Sequence, residues 1–141
     1  MTFFVDTDIL IDLIWHREGW QIVETIFSYA EAKQVALVTT PVVMANYFYV
    51  ARRKEGSKKA FRSLQNIRRL LKIIPVSQNE VDQALANGVC DFEDYLQYYS
   101  ALKIKVRGII TRNVKDFPVG RLPVLMPSEA LTIIQAKRLR S

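Results

Sequence analysis

The sequence predicts an α/β domain whose strands form a mainly parallel sheet. Three observations lead there. Short apolar runs of strand length alternate with longer helical patterns, as in a chain of βα units. The first run, Phe3-Phe4-Val5, has no polar face and belongs in a sheet covered on both sides. Finally, three segments each put a carboxylate just past a buried element: F-F-V-D-T-D from Phe3, D-F-E-D-Y from Asp91, and I-I-T-R-N-V-K-D-F from Ile109. In a parallel sheet, ligands sit beyond the carboxyl ends of the strands.

The elements follow in order. Phe3 to Asp6 reads as a strand, and Thr7 or Asp8 then caps a helix carrying Ile9, Leu10, Leu13 and Ile14. A second helix runs from about Gly19 to Lys33, with Ile22, Ile26, Phe27 and Ala30 on one face. Val35 to Thr39 is the second strand. Thr40-Pro41, an N-cap with proline at the first helical position, opens an apolar helix to about Arg53. Gly56-Ser57 breaks the chain before a basic helix from about Lys58 to Leu71. Ile73 to Val76 reads as a short strand in which Pro75 marks an edge or an end. Helices over about 78–87 and 92–105, a strand at Ile109–Thr111 and a short one at Val124–Leu125 follow. Pro127-Ser128 opens the last helix, which ends in a basic tail.

With 141 residues and no linker or repeat, the chain is most simply one domain over 1–141. Half the residues are hydrophobic, which excludes disorder, and no apolar run spans a bilayer. The start has no basic n-region, so no signal peptide is expected. A lone Cys90 excludes an internal disulfide and fits a reducing cytoplasm; it reads as a small buried residue. Among residues 52–72 nine bases face one acid, Glu55. Such a block is either a solvated helical surface or the docking face for a polyanion, an acidic protein segment included.

Converging carboxylates repel one another and cost desolvation, and a divalent cation removes both objections. Asp6 follows three apolar strand residues and either caps the next helix or serves as a ligand; Asp8 could supply the cap. Asp91, Glu93 and Asp94 open a helix, where acids complement the macrodipole. Helical steps from Asp94 reach a mostly apolar face, those from Glu93 a polar one, and Asp91 resembles an N-cap, so Asp94 is the inward acid. Thr111, Asn113 and Asp116 follow a strand; ordinary turn chemistry explains them alone, and the other two sites make Asp116 a further carboxylate. Asn46 sits mid-helix among Val42, Val43, Tyr49 and Val50, where an unpaired buried amide costs roughly 1–3 kcal/mol, so it needs a polar partner. Thr7, Asp8, Glu93, Thr111 and Asn113 are supporting groups. His16 has no partner in sequence and belongs on the surface, and Trp15, Trp20 and Tyr47-Phe48-Tyr49 read as core or interface aromatics.

Together these segments resemble the PIN domain, the nuclease fold of VapC-type toxins in bacterial and archaeal toxin–antitoxin pairs. The residues that carry the resemblance are F-V-D-T-D-I-L-I-D-L-I, N-Y-F-Y-V-A-R-R, D-F-E-D-Y-L-Q and I-I-T-R-N-V-K-D-F, in that order. The resemblance implies a three-layer α/β/α sandwich and hydrolysis of single-stranded RNA with Mg²⁺ or Mn²⁺ held by Asp6, Asp94 and Asp116. It also implies RNA, a small antitoxin protein and a second copy of the chain as partners. One position departs: where the family usually carries glutamate on the helix after the second strand, this chain has Asn46, which puts metal affinity in question. The cations expected to hold phosphate are Arg52, Arg53, Lys58, Lys59, Arg62, Arg112 and Lys115.

Two other readings compete. A PIN fold weakened through Asn46 would be a catalytically poor RNA- or protein-binding module. Asp6-Thr7-Asp8 also resembles the nucleophile pair of haloacid-dehalogenase-like phosphatases, but T-R-N-V-K-D-F suits the later motifs of that family poorly.

Overall fold

The computed structural model describes residues 1–87 and 91–140, so the expectation for Cys90 lies outside the described residues. Five strands, β1 (Thr2–Val5), β2 (Ala36–Thr39), β3 (Leu71–Ile73), β4 (Gly108–Ile110) and β5 (Val124–Leu125), form one sheet in the order β3-β2-β1-β4-β5. All four pairings are parallel. Phe3, Phe4 and Val5 are wholly buried, which is why β1 takes the centre.

The helices are α1 (Thr7–Trp15), α2 (Trp20–Glu31), α3 (Pro41–Glu55), α4 (Ser57–Leu70), α5 (Gln78–Asn87), α6 (Phe92–Leu102) and α7 (Pro127–Leu139). From β1 the chain steps to β2 and β3 on one side, then returns past β1 to β4 on the other. Right-handed crossovers in opposite directions put α1–α4 and α5–α6 on opposite faces. The result is a three-layer α/β/α sandwich. Among the described residues no helix is long and apolar enough to cross a membrane.

Local expectations hold where capping chemistry is strong. Thr40 is extended and its Oγ1 accepts from the Val43 N–H at 3.3 Å, with Pro41 in the first turn of α3. The third strand is displaced. It covers Leu71–Ile73 and stops before Pro75, because Leu71 to Ile73 pair with Leu37 to Thr39 and proline has no N–H for a ladder. The first cap also differs: Asp6, with φ −82° and ψ 163°, takes the N-cap of α1, not Thr7 or Asp8. Since β1 ends at Val5, Asp6 is the one extended residue between strand and helix. His16 is exposed and stacks on Trp20, with centroids 3.9 Å apart.

Because β2 and β4 flank β1 and are reached in opposite directions, their crossovers leave a crevice beyond the carboxyl ends of β1 and β4. Asp6 stands at its floor, its N–H donating to the Ile110 carbonyl at 3.1 Å.

Candidate metal centre

Asp6 serves two purposes at once. Its Oδ1 accepts from the Thr7 N–H at 2.8 Å, which caps α1, and its Oδ2 accepts from the Thr111 hydroxyl at 2.9 Å. Only 3% of the residue is exposed. Burial, reinforced by the charge of Asp8, raises its carboxyl from 3.8 to about 7, against the hydrogen bonds from Thr7 and Thr111.

Asp8 is fixed by the loop after β4. Its Oδ2 accepts from the Arg112 N–H at 3.0 Å and the Asn113 amide at 3.1 Å, with the Thr111 hydroxyl at 3.3 Å. One hydroxyl proton serves Asp6 or Asp8 at a time, and the shorter distance favours Asp6. The other oxygen of Asp8, Oδ1, is buried and has no hydrogen-bond partner among the described residues. Burial is also the main cause that raises the Asp8 carboxyl.

From the opposite face, α6 brings Asp94. It is half-buried, and burial followed by the charges of Glu93, Asp116, Asp91 and Asp8 raises its carboxyl from 3.8 to about 7. Asp91, Asp94 and Asp116 each offer an oxygen within 4.8 Å of the others. Asp116 reaches this group from a 3-10 turn, Val114–Asp116. Asp91 holds the N-cap position of α6 but its side chain makes no cap hydrogen bond. Its carboxylate is therefore left to the cluster. Asp6, Asp8, Asp91, Glu93, Asp94 and Asn113 line one open cleft of about 340 Å³.

Asn46 is partly exposed on α3, at the rim rather than in the core as its neighbours suggested. Its Nδ2 donates to Glu93 Oε1 at 2.7 Å. That bond joins helices from opposite faces, as does the buried one from the Thr40 hydroxyl to Gln97 Oε1 at 2.8 Å.

The expected phosphate contacts divide. Lys58, Lys59, Arg62 and Lys115 are exposed. Arg52 and Arg53 are exposed too, and both lie over the Tyr49 ring. Arg112 departs from expectation: its Nε donates to Asp12 Oδ2 at 2.6 Å and its Nη2 to the Glu18 carbonyl at 2.6 Å. It is committed to the fold because Asp12 is wholly buried and needs countercharge. Arg17 supplies the second, its Nε 2.7 Å from Asp12 Oδ1.

Sequence reasoning assigned no role to Asp12 or Gln97, and read Asp91 as resembling a cap while leaving open whether it also binds metal. A signal existed for Asp12, which follows Asp8 by four on a helix whose other inward residues are apolar. Gln97 is wholly buried with Nε2 unpartnered among the described residues, and nothing in its sequence neighbourhood marks it.

The donor set suits a hard divalent cation: several carboxylate oxygens, one of them buried and unpartnered, with no thiolate or imidazole among the lining residues. A sequence profile of the PIN domain matches residues 2–115. None of the curated proteins matches the sequence. Solved structures do match in fold. A toxin–antitoxin complex from Klebsiella pneumoniae has a TM-score of 0.62 at 24% identity, over 88% of this chain and 96% of that one. VapBC-1 from nontypeable Haemophilus influenzae has a TM-score of 0.66 at 18% identity, over 91% and 99%. Mycobacterium tuberculosis VapC20, a sarcin–ricin-loop-cleaving toxin, has a TM-score of 0.62 at 16% identity, over 76% and 86%.

Proposed function

The chain belongs to the PIN-domain family, and from that premise we propose that it is a metal-dependent endoribonuclease that hydrolyses single-stranded RNA as the toxin of a toxin–antitoxin pair. The observation that carries the reading is the meeting of carboxylates at the crevice of a parallel sheet, with Asp6 and Asp94 both raised to about 7. A fold seeking only stability has no use for that crowding. The solved relatives that include a toxin–antitoxin complex and a loop-cleaving toxin support the choice of substrate class and partner.

Asp6, Asp94 and Asp116 would hold Mg²⁺ or Mn²⁺, with Asp91 beside them. A bound cation would offset charge on the phosphate and ease deprotonation of water to the hydroxide that attacks it. The chain's own part is orientation. Thr111 holds Oδ2 of Asp6 and the Thr7 N–H holds Oδ1, while Arg112 and Asn113 hold Asp8 by Oδ2 and leave Oδ1 available. Burial and neighbouring charge raise both Asp6 and Asp94, and a cation between them would offset both causes and favour the ionised, ligating form.

The test is degradation of an unstructured RNA with Mg²⁺ or Mn²⁺ against EDTA, for the native chain and Asp6→Asn. Cleavage that requires metal and Asp6 is expected. Equal activity in EDTA would point to a contaminant or another mechanism, and a folded protein inert under every metal would favour the binding module.

A further inference from the structure

The cations of residues 52–72 do not fold into one patch. Arg52 and Arg53 lie on α3, and Lys58, Lys59 and Arg62 on the first half of α4. Arg68 and Arg69 lie at the end of α4, and Lys72 on β3. At that junction the chain has returned to the amino ends of the strands, the pole opposite the carboxylates. Lys33, between α2 and β2, stands at the same pole. The ends of α2 and α4 enclose an open cleft of about 550 Å³ whose walls include Lys33, Gln34, Arg68, Arg69 and Lys72. Glu31 is the one acidic residue in that lining.

Cations near helix carboxyl ends are often just partners for terminal carbonyls. Arg68 fits that account, its Nη1 donating to the Leu71 carbonyl at 3.2 Å. The others do not. The Arg69 side chain reaches only Asn66 Oδ1, at 3.4 Å, and the side chains of Lys33 and Lys72 make no hydrogen bond or ion pair among the described residues. Lys33 also holds a left-handed backbone, φ 60°, a position that Asn or Gly takes at less cost. A strained lysine, an edge-strand lysine and two arginines therefore converge without carboxylate partners.

The acidic pole by itself holds a polyanion poorly. Without a cation the carboxylates repel a phosphate chain, and two of the cations close to them, Arg17 and Arg112, are spent on Asp12, which leaves Lys115 beside Asp116. Most of the affinity for a nucleic acid backbone would then come from elsewhere on the surface. The α3–α4 hairpin suits it less, because its cations flank exposed apolar surface: Phe61 is 56% exposed beside Phe48, Lys58 and Arg62. We propose that the cleft lined by Lys33, Arg68, Arg69 and Lys72 binds the phosphodiester backbone of single-stranded nucleic acid, remote from the carboxylates. Guanidinium forks match phosphate geometry, and binding to the backbone needs no particular sequence. The choice of a nucleic acid rests on the proposed function; the cleft and its charge do not.

The experiment is binding of a fluorescent oligouridylate in EDTA, where no cleavage intervenes, across a salt series. Arg69→Ala/Lys72→Ala should weaken binding roughly tenfold near 0.1 M salt and reduce the slope of log affinity against log salt by about 1.4, at about 0.7 for each phosphate no longer neutralised. Lys33→Asn, which suits the left-handed backbone, should weaken binding in the same direction without lowering the melting temperature. Oligodeoxyuridylate should lose affinity equally, since the backbone is shared. Lys58→Ala/Arg62→Ala should change less. Native affinity and slope in both cleft variants, or weakening confined to the Lys58/Arg62 variant, overturns the proposal. An inert nuclease that still shows the cleft-dependent binding would sink the proposed activity and leave this site standing.

Discussion

The side-chain amide of Asn46 donates a 2.7 Å hydrogen bond to the carboxylate of Glu93, tying α3 to the start of α6 across the mouth of the acidic cleft. The amide thus holds an acid in place at the rim of the cluster. After burial, the charge of Glu93 is the strongest influence that raises the Asp94 carboxyl.

This pairing makes Asn46 a test of the site. Asn46→Glu should strengthen Mn²⁺ binding, because one more carboxylate offsets more of the cation's charge. In the metal-free protein it sets like charges together and removes a hydrogen bond at a partly exposed position, a destabilisation of about 1–2 kcal/mol. Calorimetric titration and melts in EDTA read the two halves. Glu93→Gln should weaken Mn²⁺ binding, and Asn46→Glu/Glu93→Gln should recover most of it. A double variant no better than Glu93→Gln would show that the two positions do not share a function.

The carboxyls of Asp6 and Asp94 set a pH dependence. Each rises from 3.8 to about 7, so between these values the folded protein keeps protons that the unfolded chain releases. Their contribution to stability is full below 3.8 and is lost as pH rises through about 7. The metal-free protein should melt lower at pH 8 than at pH 5.5, and Mn²⁺ should raise the melting temperature more at pH 8. Asp94→Asn should flatten the first trend. Parallel melts in EDTA and Mn²⁺ at both pH values decide it; a native protein indifferent to pH in EDTA would contradict it.

Asp91 separates a cap from a ligand. Because its side chain makes no cap hydrogen bond, Asp91→Ala should leave the metal-free melting temperature within a few degrees of native. It should lower Mn²⁺ affinity, since it removes one of three oxygens lying within 4.8 Å of each other. A drop in stability with unchanged Mn²⁺ affinity would return Asp91 to a purely helical role.

Asp12 should matter to folding more than to chemistry. Asp12→Asn leaves Arg17 and Arg112 without their countercharge, at a cost of about 2–3 kcal/mol because both guanidiniums keep some solvent. Since Arg112 also donates its N–H to Asp8, the loop that carries Asn113 and Asp116 should loosen. Denaturant unfolding measures the first effect. Arg112→Ala provides the contrast: a phosphate-binding arginine would lose RNA affinity at native stability, whereas this one should lose stability.

Much of this protein was legible in its residues alone. Phe3-Phe4-Val5 is apolar on both faces, so it had to be a central strand, and Thr40-Pro41 carries its own start signal. Asp6, Asp94 and Asp116 could be placed past strand ends or on an inward helix face because period and position are local properties. Capping is local too, yet Asp6, Thr7 and Asp8 could all cap α1, and only the end of β1 at Val5 chose Asp6. Other decisions needed the folded chain. Whether Asp91 caps a helix or joins Asp94 and Asp116 depends on a loop some 25 residues away in sequence. Arg112 belongs to Asp12, a hundred residues earlier, and no spacing rule couples them. The single basic block of the sequence became two surfaces, because Lys58, Lys59 and Arg62 sit at the start of α4 and Arg68 and Arg69 at its end, where the chain enters β3. Periodicity determines which way a side chain faces within its own element. Which charge answers which across the sheet is settled by strand order and crossover direction, since these bring distant residues within reach of a Coulomb interaction.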